Sequence, residues 1–112
     1  MRYFFKLTID TCSNDINKIT NILGVISSSD DQWEYELVIG ENDDYIDFIN
    51  YFLDILDGKY YQLEEIGIHR NNITIWMIYE YNNQCNMEFF PEDMKRLGSN
   101  GISFCISCYD EK

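Results

Sequence analysis

Apolar and polar positions alternate with a period of two in four stretches of the chain, and each alternation predicts a strand. In the first, Tyr3, Phe5, Leu7 and Ile9 alternate with Phe4, Lys6, Thr8 and Asp10. In the second, Trp33, Tyr35, Leu37 and Ile39 alternate with Glu34, Glu36, Val38 and Gly40, so one face is apolar and the other carries charge. The third sets Ile73, Ile75, Met77, Tyr79 and Tyr81 against Thr74, Trp76, Ile78 and Glu80. Both of its faces are largely apolar, which predicts an interior strand covered on both sides. The Asn82-Asn83 pair then predicts a turn, with Cys85 to Phe90 returning antiparallel as a further strand that places Met87 and Phe89 on one face. The last alternation sets Ile102, Phe104, Ile106 and Cys108 against Ser103, Cys105, Ser107 and Tyr109.

Between these strands the period lengthens. Ile16, Ile19, Ile22 and Leu23 form a helical stripe that Ser13 or Asn14 can cap and Gly24 ends. Ile46, Ile49, Phe52, Leu53 and Leu56 form another, capped by Asp43 or Asp44 and stopped at Gly58. A short helix follows from Tyr60 to Ile66, then a turn from Gly67 to Asn72. Pro91, Glu92 and Asp93 open a further helix, with Leu97 on its apolar side and Gly98 and Gly101 at its end. The polar run Ser27 to Gln32 is the expected mobile loop. The order β-α-β-α-β-β-α-β predicts an α+β fold with a mostly antiparallel five-stranded sheet and its helices on one face. The first strand, helix and second strand fit a right-handed crossover, and a ferredoxin-like arrangement with an added strand is the nearest analogy. Neither a repeat nor a linker interrupts residues 1–112, which form one domain large enough for its own core.

The run Phe89-Phe90-Pro91-Glu92-Asp93-Met94 with Leu97, followed by Ile102-Ser103-Phe104-Cys105-Ile106 up to Tyr109, resembles the end of a bacterial family known as domain of unknown function 4279. The opening strand Tyr3 to Ile9, the helix Ile16 to Leu23 with Gly24, and Trp33 on the next strand agree with the same pattern. The chain departs from it at Val25 to Gln32, where family members carry proline, glycine and a basic residue, and at Ser107, where an aspartate is frequent. The resemblance implies a fold and no activity.

Charge narrows the function classes. The net charge is -12, and no Lys or Arg lies between Lys18 and Lys59, an interval holding 10 of the 20 acids. Such a field attracts cations and basic proteins and repels phosphate, which argues against nucleic acid and anionic membrane as partners. The residues that would grip a basic partner are Asp30, Asp31, Glu34, Glu36, Glu41, Asp43, Asp44 and Asp47, with Tyr45 and Tyr51 adding hydrogen bonds and cation–π contact. The other reading of this interval is a solvated acidic face that keeps the protein soluble. The N-terminus has no apolar run of the kind that directs secretion, so Cys12, Cys85, Cys105 and Cys108 are expected as free thiols in a reducing cytoplasm.

Catalytic and metal chemistry find little support. Cys105-x-x-Cys108 has half-site spacing for zinc, but two further ligands at matching spacing are missing, and residues three apart on a strand face opposite ways. The expectation is Cys108 in the core and Cys105 on the other face. His69, the single histidine, sits in a turn without an elbow or oxyanion motif and reads as a surface residue. The oxygen-rich run Glu41-Asn42-Asp43-Asp44 lacks the spacing and glycine of a calcium loop and reads as helix capping. No nucleophile, base and stabiliser can be named together, so neither an enzyme nor a cofactor is expected. The sequence points first to a protein-binding inhibitor of the immunity or antitoxin type, neutralising a basic bacterial toxin through its acidic face. The alternative is a small-ligand or regulatory module that uses an open sheet face around Trp33 and Trp76.

Overall fold

The structure, a computed structural model, describes residues 2–39, 47–81 and 87–110. Strand β1 (Arg2–Ile9) leads through a 3₁₀ turn at Ser13–Asp15 into helix α1 (Ile16–Leu23), and β2 (Trp33–Ile39) follows. Helices α2 (Phe48–Leu56) and α3 (Tyr60–Glu65) precede β3 (Ile73–Tyr81), and α4 (Pro91–Asn100) precedes β4 (Ser103–Asp110). Among the described residues the sheet has four strands, in the order β2-β1-β3-β4. β1 runs antiparallel to both β2 and β3, whereas β3 and β4 are parallel.

Two of the three pairings are antiparallel, and the expected five-stranded arrangement is corrected in three respects. First, the expected turn at Asn82-Asn83 and the first two residues of the expected return strand, 85–86, lie outside the described residues, and Met87 to Phe90 carry no regular structure. Phe89 instead packs edge-on against Phe104, with ring centroids 5.0 Å apart, so its apolar side chain reaches the core without joining the ladder. Second, β1 and β2 are antiparallel neighbours, so α1 does not bridge a crossover; the parallel pair is β3 and β4, and α4 lies on the connection between them. Third, β3 is central in the sheet but buried on one face only, its residues alternating between buried and half-buried.

Register decides which face is covered. Phe5, Leu7 and Ile9 of β1 are buried, as are Trp33 of β2 and Ile73, Ile75, Met77 and Tyr79 of β3. Ile19 and Leu23 of α1, Phe48, Phe52 and Leu56 of α2, Leu63 of α3 and Leu97 of α4 join the same cluster, and Phe48 stacks on Phe5 at 4.2 Å. Among the described residues, none of the buried ones is polar or charged. The expected apolar face of β4 holds only partly: Ile102 just before it is buried and Phe104 half-buried, but Ile106 and Cys108 are exposed. Cys108 is therefore not a core residue, because only the first half of β4 lies under Phe48 and Phe89.

Helix boundaries follow the punctuation with two shifts. Gly24 and Gly101 close α1 and α4 in the left-handed conformation, at φ 77° and 69°, where a Cβ would be strained. Neither Ser13 nor Asn14 caps α1; both belong to the 3₁₀ turn, and the capping position falls to Asp15, which makes no side-chain capping bond. The cap of α2 is Asp47, which accepts from the Asn50 N–H at 3.4 Å, while Asp43 and Asp44 lie outside the described residues.

Candidate functional site

The even-numbered positions of β1 and β2 point away from the helices. Phe4, Lys6, Thr8, Glu34 and Glu36 share this second face with Thr74, Trp76, Ile78 and Glu80 of β3 and with Ser103, Cys105, Ser107 and Tyr109 of β4. Lys6 is its one cation among the described side chains, and its ammonium lies 3.7 Å from the Glu34 carboxylate. Trp76, directly opposite Lys6, donates its indole Nε1–H to the Thr8 hydroxyl at 3.0 Å. Tyr109 donates to Glu80 at 3.4 Å across the parallel pair. Between these side chains lies an open depression of about 360 Å³ lined by Trp76, Lys6, Thr8, Glu34, Asp10 and Gln32 among others.

Trp33 takes no part in this face, contrary to the expectation of a pocket around both tryptophans. Odd-numbered on β2, it faces the helices, is fully buried, and donates its Nε1–H to the Thr20 hydroxyl of α1 at 3.2 Å.

Of the ten residues expected to bind a partner, the six that are described divide among three locations. Glu34 and Glu36 lie together on the open face at the β2 edge. Asp30 and Asp31 are exposed in the preceding loop. That loop is tied to β2: the Ser27 hydroxyl accepts from the Glu34 N–H at 3.1 Å, the Ser28 N–H donates to the Glu34 carbonyl at 2.6 Å, and the Ser28 hydroxyl accepts from the Glu36 N–H at 3.3 Å. Asp47 and Tyr51 belong to the helical side. Asp47 is engaged by Asn50, whose Nδ2 donates to it at 2.7 Å and to Asp93 at 2.8 Å. Tyr51 stacks on Tyr35 with the two hydroxyls 3.2 Å apart, a contact that, ahead of partial burial, pushes the Tyr35 pKa upward. Glu41, Asp43, Asp44 and Tyr45 lie outside the described residues.

The remaining candidate chemistry is dispersed. Cys105 is half-buried beside Trp76 on the open face, and Cys108 projects from the opposite face of the same strand. His69 is exposed, and its backbone N–H donates to Asn72 Oδ1 at 2.9 Å as the chain enters β3. Among the described residues no three of His, Cys, Asp and Glu gather as metal ligands, and no helix is long and apolar enough to cross a membrane. What the sequence missed is the partnership of Thr8, Trp76 and Glu34 around Lys6. It requires the β1–β3 register, which joins residues 68 positions apart. Comparison of the chain with protein-family models, curated proteins and solved structures returns no match.

Proposed function

We propose that this α+β domain is a protein-binding module that docks a basic partner on the open face of its sheet, and that it acts as an inhibitor of the immunity or antitoxin type, covering the functional surface of a basic toxin. One observation carries the reading. The helices bury the odd-numbered face and leave Phe4, Trp76 and Ile78 half-buried among Glu34, Glu36 and Glu80. Half-exposed aromatic and aliphatic groups with an acidic surround provide anchors for slow release, and the net charge of -12 provides fast electrostatic capture.

A small-ligand reading draws on the depression beside Trp76, whose volume sits near the lower end for small-molecule sites. Its many polar lining groups suit one polar side chain of a protein partner better than an apolar metabolite.

The test is affinity capture from a bacterial lysate at low and high salt, run in parallel with a Glu36→Lys, Glu80→Lys double variant whose melting temperature is checked against the parent. The expected result is a basic protein retained by the parent at low salt, reduced at high salt, and lost by the variant. Identical retained proteins for parent and variant would remove the sheet face as the interface.

A further inference from the structure

The depression on the open sheet face holds a cation of its own in the Lys6 ammonium, 3.7 Å from Glu34. We propose that this depression is a socket for one arginine side chain of the partner, with Glu34 as the counter-charge, Trp76 as the stacking wall, and Lys6 as the internal cation that the incoming guanidinium displaces. The inference rests on the docking reading above and adds the chemistry that is recognised.

The charge balance favours a cation. Lys6 contributes one positive charge to the lining, while Glu34 and Asp10 contribute two negative ones, so a site already holding one ammonium keeps a net attraction for a second positive group. An anion would have to displace Glu34 from its only described cationic partner.

The wall is suited to a planar group. The Trp76 indole, which lines the depression, is held by its hydrogen bond to Thr8, which restricts the ring. A guanidinium stacks on such a ring and can present a fork of N–H donors to a carboxylate at the same time, which an ammonium cannot do as a planar contact. Glu34 is already oriented for this role: its backbone is held by Ser27 and Ser28, and one carboxylate oxygen accepts from the Gln32 amide at 2.5 Å.

Lys6 is placed to give way. Its side chain keeps 27% of its exposure, and at 3.7 Å the pair is longer than a charge-assisted hydrogen bond. Its withdrawal leaves the Glu34 carboxylate to the guanidinium and places the ammonium toward solvent.

The experiment is a titration of the ¹⁵N-labelled protein with N-acetyl-arginine-amide, and with N-acetyl-citrulline-amide as an uncharged isostere, observed through the indole N–H resonances. The chain has two tryptophans, and fully buried Trp33 serves as the internal reference. Trp76→Phe assigns the signals. The expected result is a saturable shift of Trp76 with the arginine derivative, none with citrulline, and an unmoved Trp33. Glu34→Gln should weaken the interaction by about threefold to fivefold, and Lys6→Met should strengthen it by a similar factor. Equal shifts with both derivatives, or arginine binding that survives Glu34→Gln unchanged, would overturn the socket. That failure is separable from failure of the docking face. A partner still captured by the parent and lost by the Glu36→Lys, Glu80→Lys variant would leave the interface standing without an arginine socket.

Discussion

The two tryptophans of this chain sit on the two faces of one sheet and make the same kind of bond with different consequences. Each donates its indole N–H to a threonine hydroxyl, Trp33 to Thr20 and Trp76 to Thr8. Trp33 does so beneath α1 and has no exposed surface, whereas Trp76 does so on the face the helices leave open and is half-buried. A buried indole needs its hydrogen bond to avoid an orphaned donor. On the open face the bond has another effect, which is to hold the ring in place as a platform. Residue type and hydrogen bonding are alike; the layer packed above the ring determines whether it belongs to the core or to a surface.

Matched substitutions give that comparison its largest test. Trp33→Ala removes a fully enclosed ring and leaves a cavity under α1, so a loss of about 3–5 kcal/mol is expected. Trp76→Ala removes a ring that water already reaches and should cost about 1–2 kcal/mol. Urea unfolding of the two variants measures both. Similar losses would mean that the open face is packed as tightly as the core and would undermine its reading as an interface.

Much of the secondary structure could be read from periodicity, and β3 was read to its observed ends, because a period of two with β-branched and aromatic residues suits only a pleated strand. Which face of β3 is covered could not be read. Ile75 and Met77 on one side and Trp76 and Ile78 on the other are similarly apolar, and the difference arises from helices placed by other parts of the chain. The missing fifth strand has a related cause. Phe89 follows the pattern of a strand residue, yet it satisfies its burial by packing on Phe104 from outside the sheet. For the candidate site, the polar positions Glu34 and Glu36 were legible on their strand. Their assembly with Thr8 and Trp76 was not, since parallel or antiparallel pairing and register are tertiary choices. Neither was the separation of Asp47 and Tyr51 from Glu34 and Glu36, because neighbours within an acidic interval need not share a surface.

The covered side has a polar layer of its own, and a smaller effect is expected there. Asn50 of α2 bonds Asp47 and Asp93 and accepts from Arg96 at 2.7 Å, and Arg96 pairs with Asp54 at 2.7 Å, tying α2 to α4 over the core. Asn50→Ala removes the centre of this network and should cost about 1–2 kcal/mol in urea unfolding. Asp54→Ala, at a carboxylate with 70% of its side chain exposed, should cost less than about 1 kcal/mol. Neither change should alter the arginine titration at Trp76. A change there would mean that the two faces are coupled through the sheet, which would sharpen the comparison into one of linked layers.

The smallest effect lies at the β2 edge, where the faces meet. Tyr35 belongs to the covered side and Glu36 beside it to the open one, and the Tyr35 hydroxyl is hydrogen-bonded to Tyr51. That bond, then partial burial, raises the Tyr35 pKa above the ordinary tyrosine value of about 10. A raised acid pKa means that the fold favours the neutral phenol. The contribution is fully present below the unfolded value and is lost as the pH climbs through the higher folded value. Tyr35→Phe should lower stability by about 0.5–1 kcal/mol at pH 8 and flatten the further loss above about pH 10. Tyr60, whose pKa is raised chiefly by burial and opposed by Arg70, will keep part of that alkaline loss in the variant. Urea midpoints at pH 8 and about pH 10.5 measure the difference, and an unchanged alkaline slope would mean that the tyrosine pair does not hold β2 to α2 in solution. The open face should be indifferent to this substitution, because the Tyr35 side chain lies on the covered side of β2 and the indole of Trp76 is not an ionisable group.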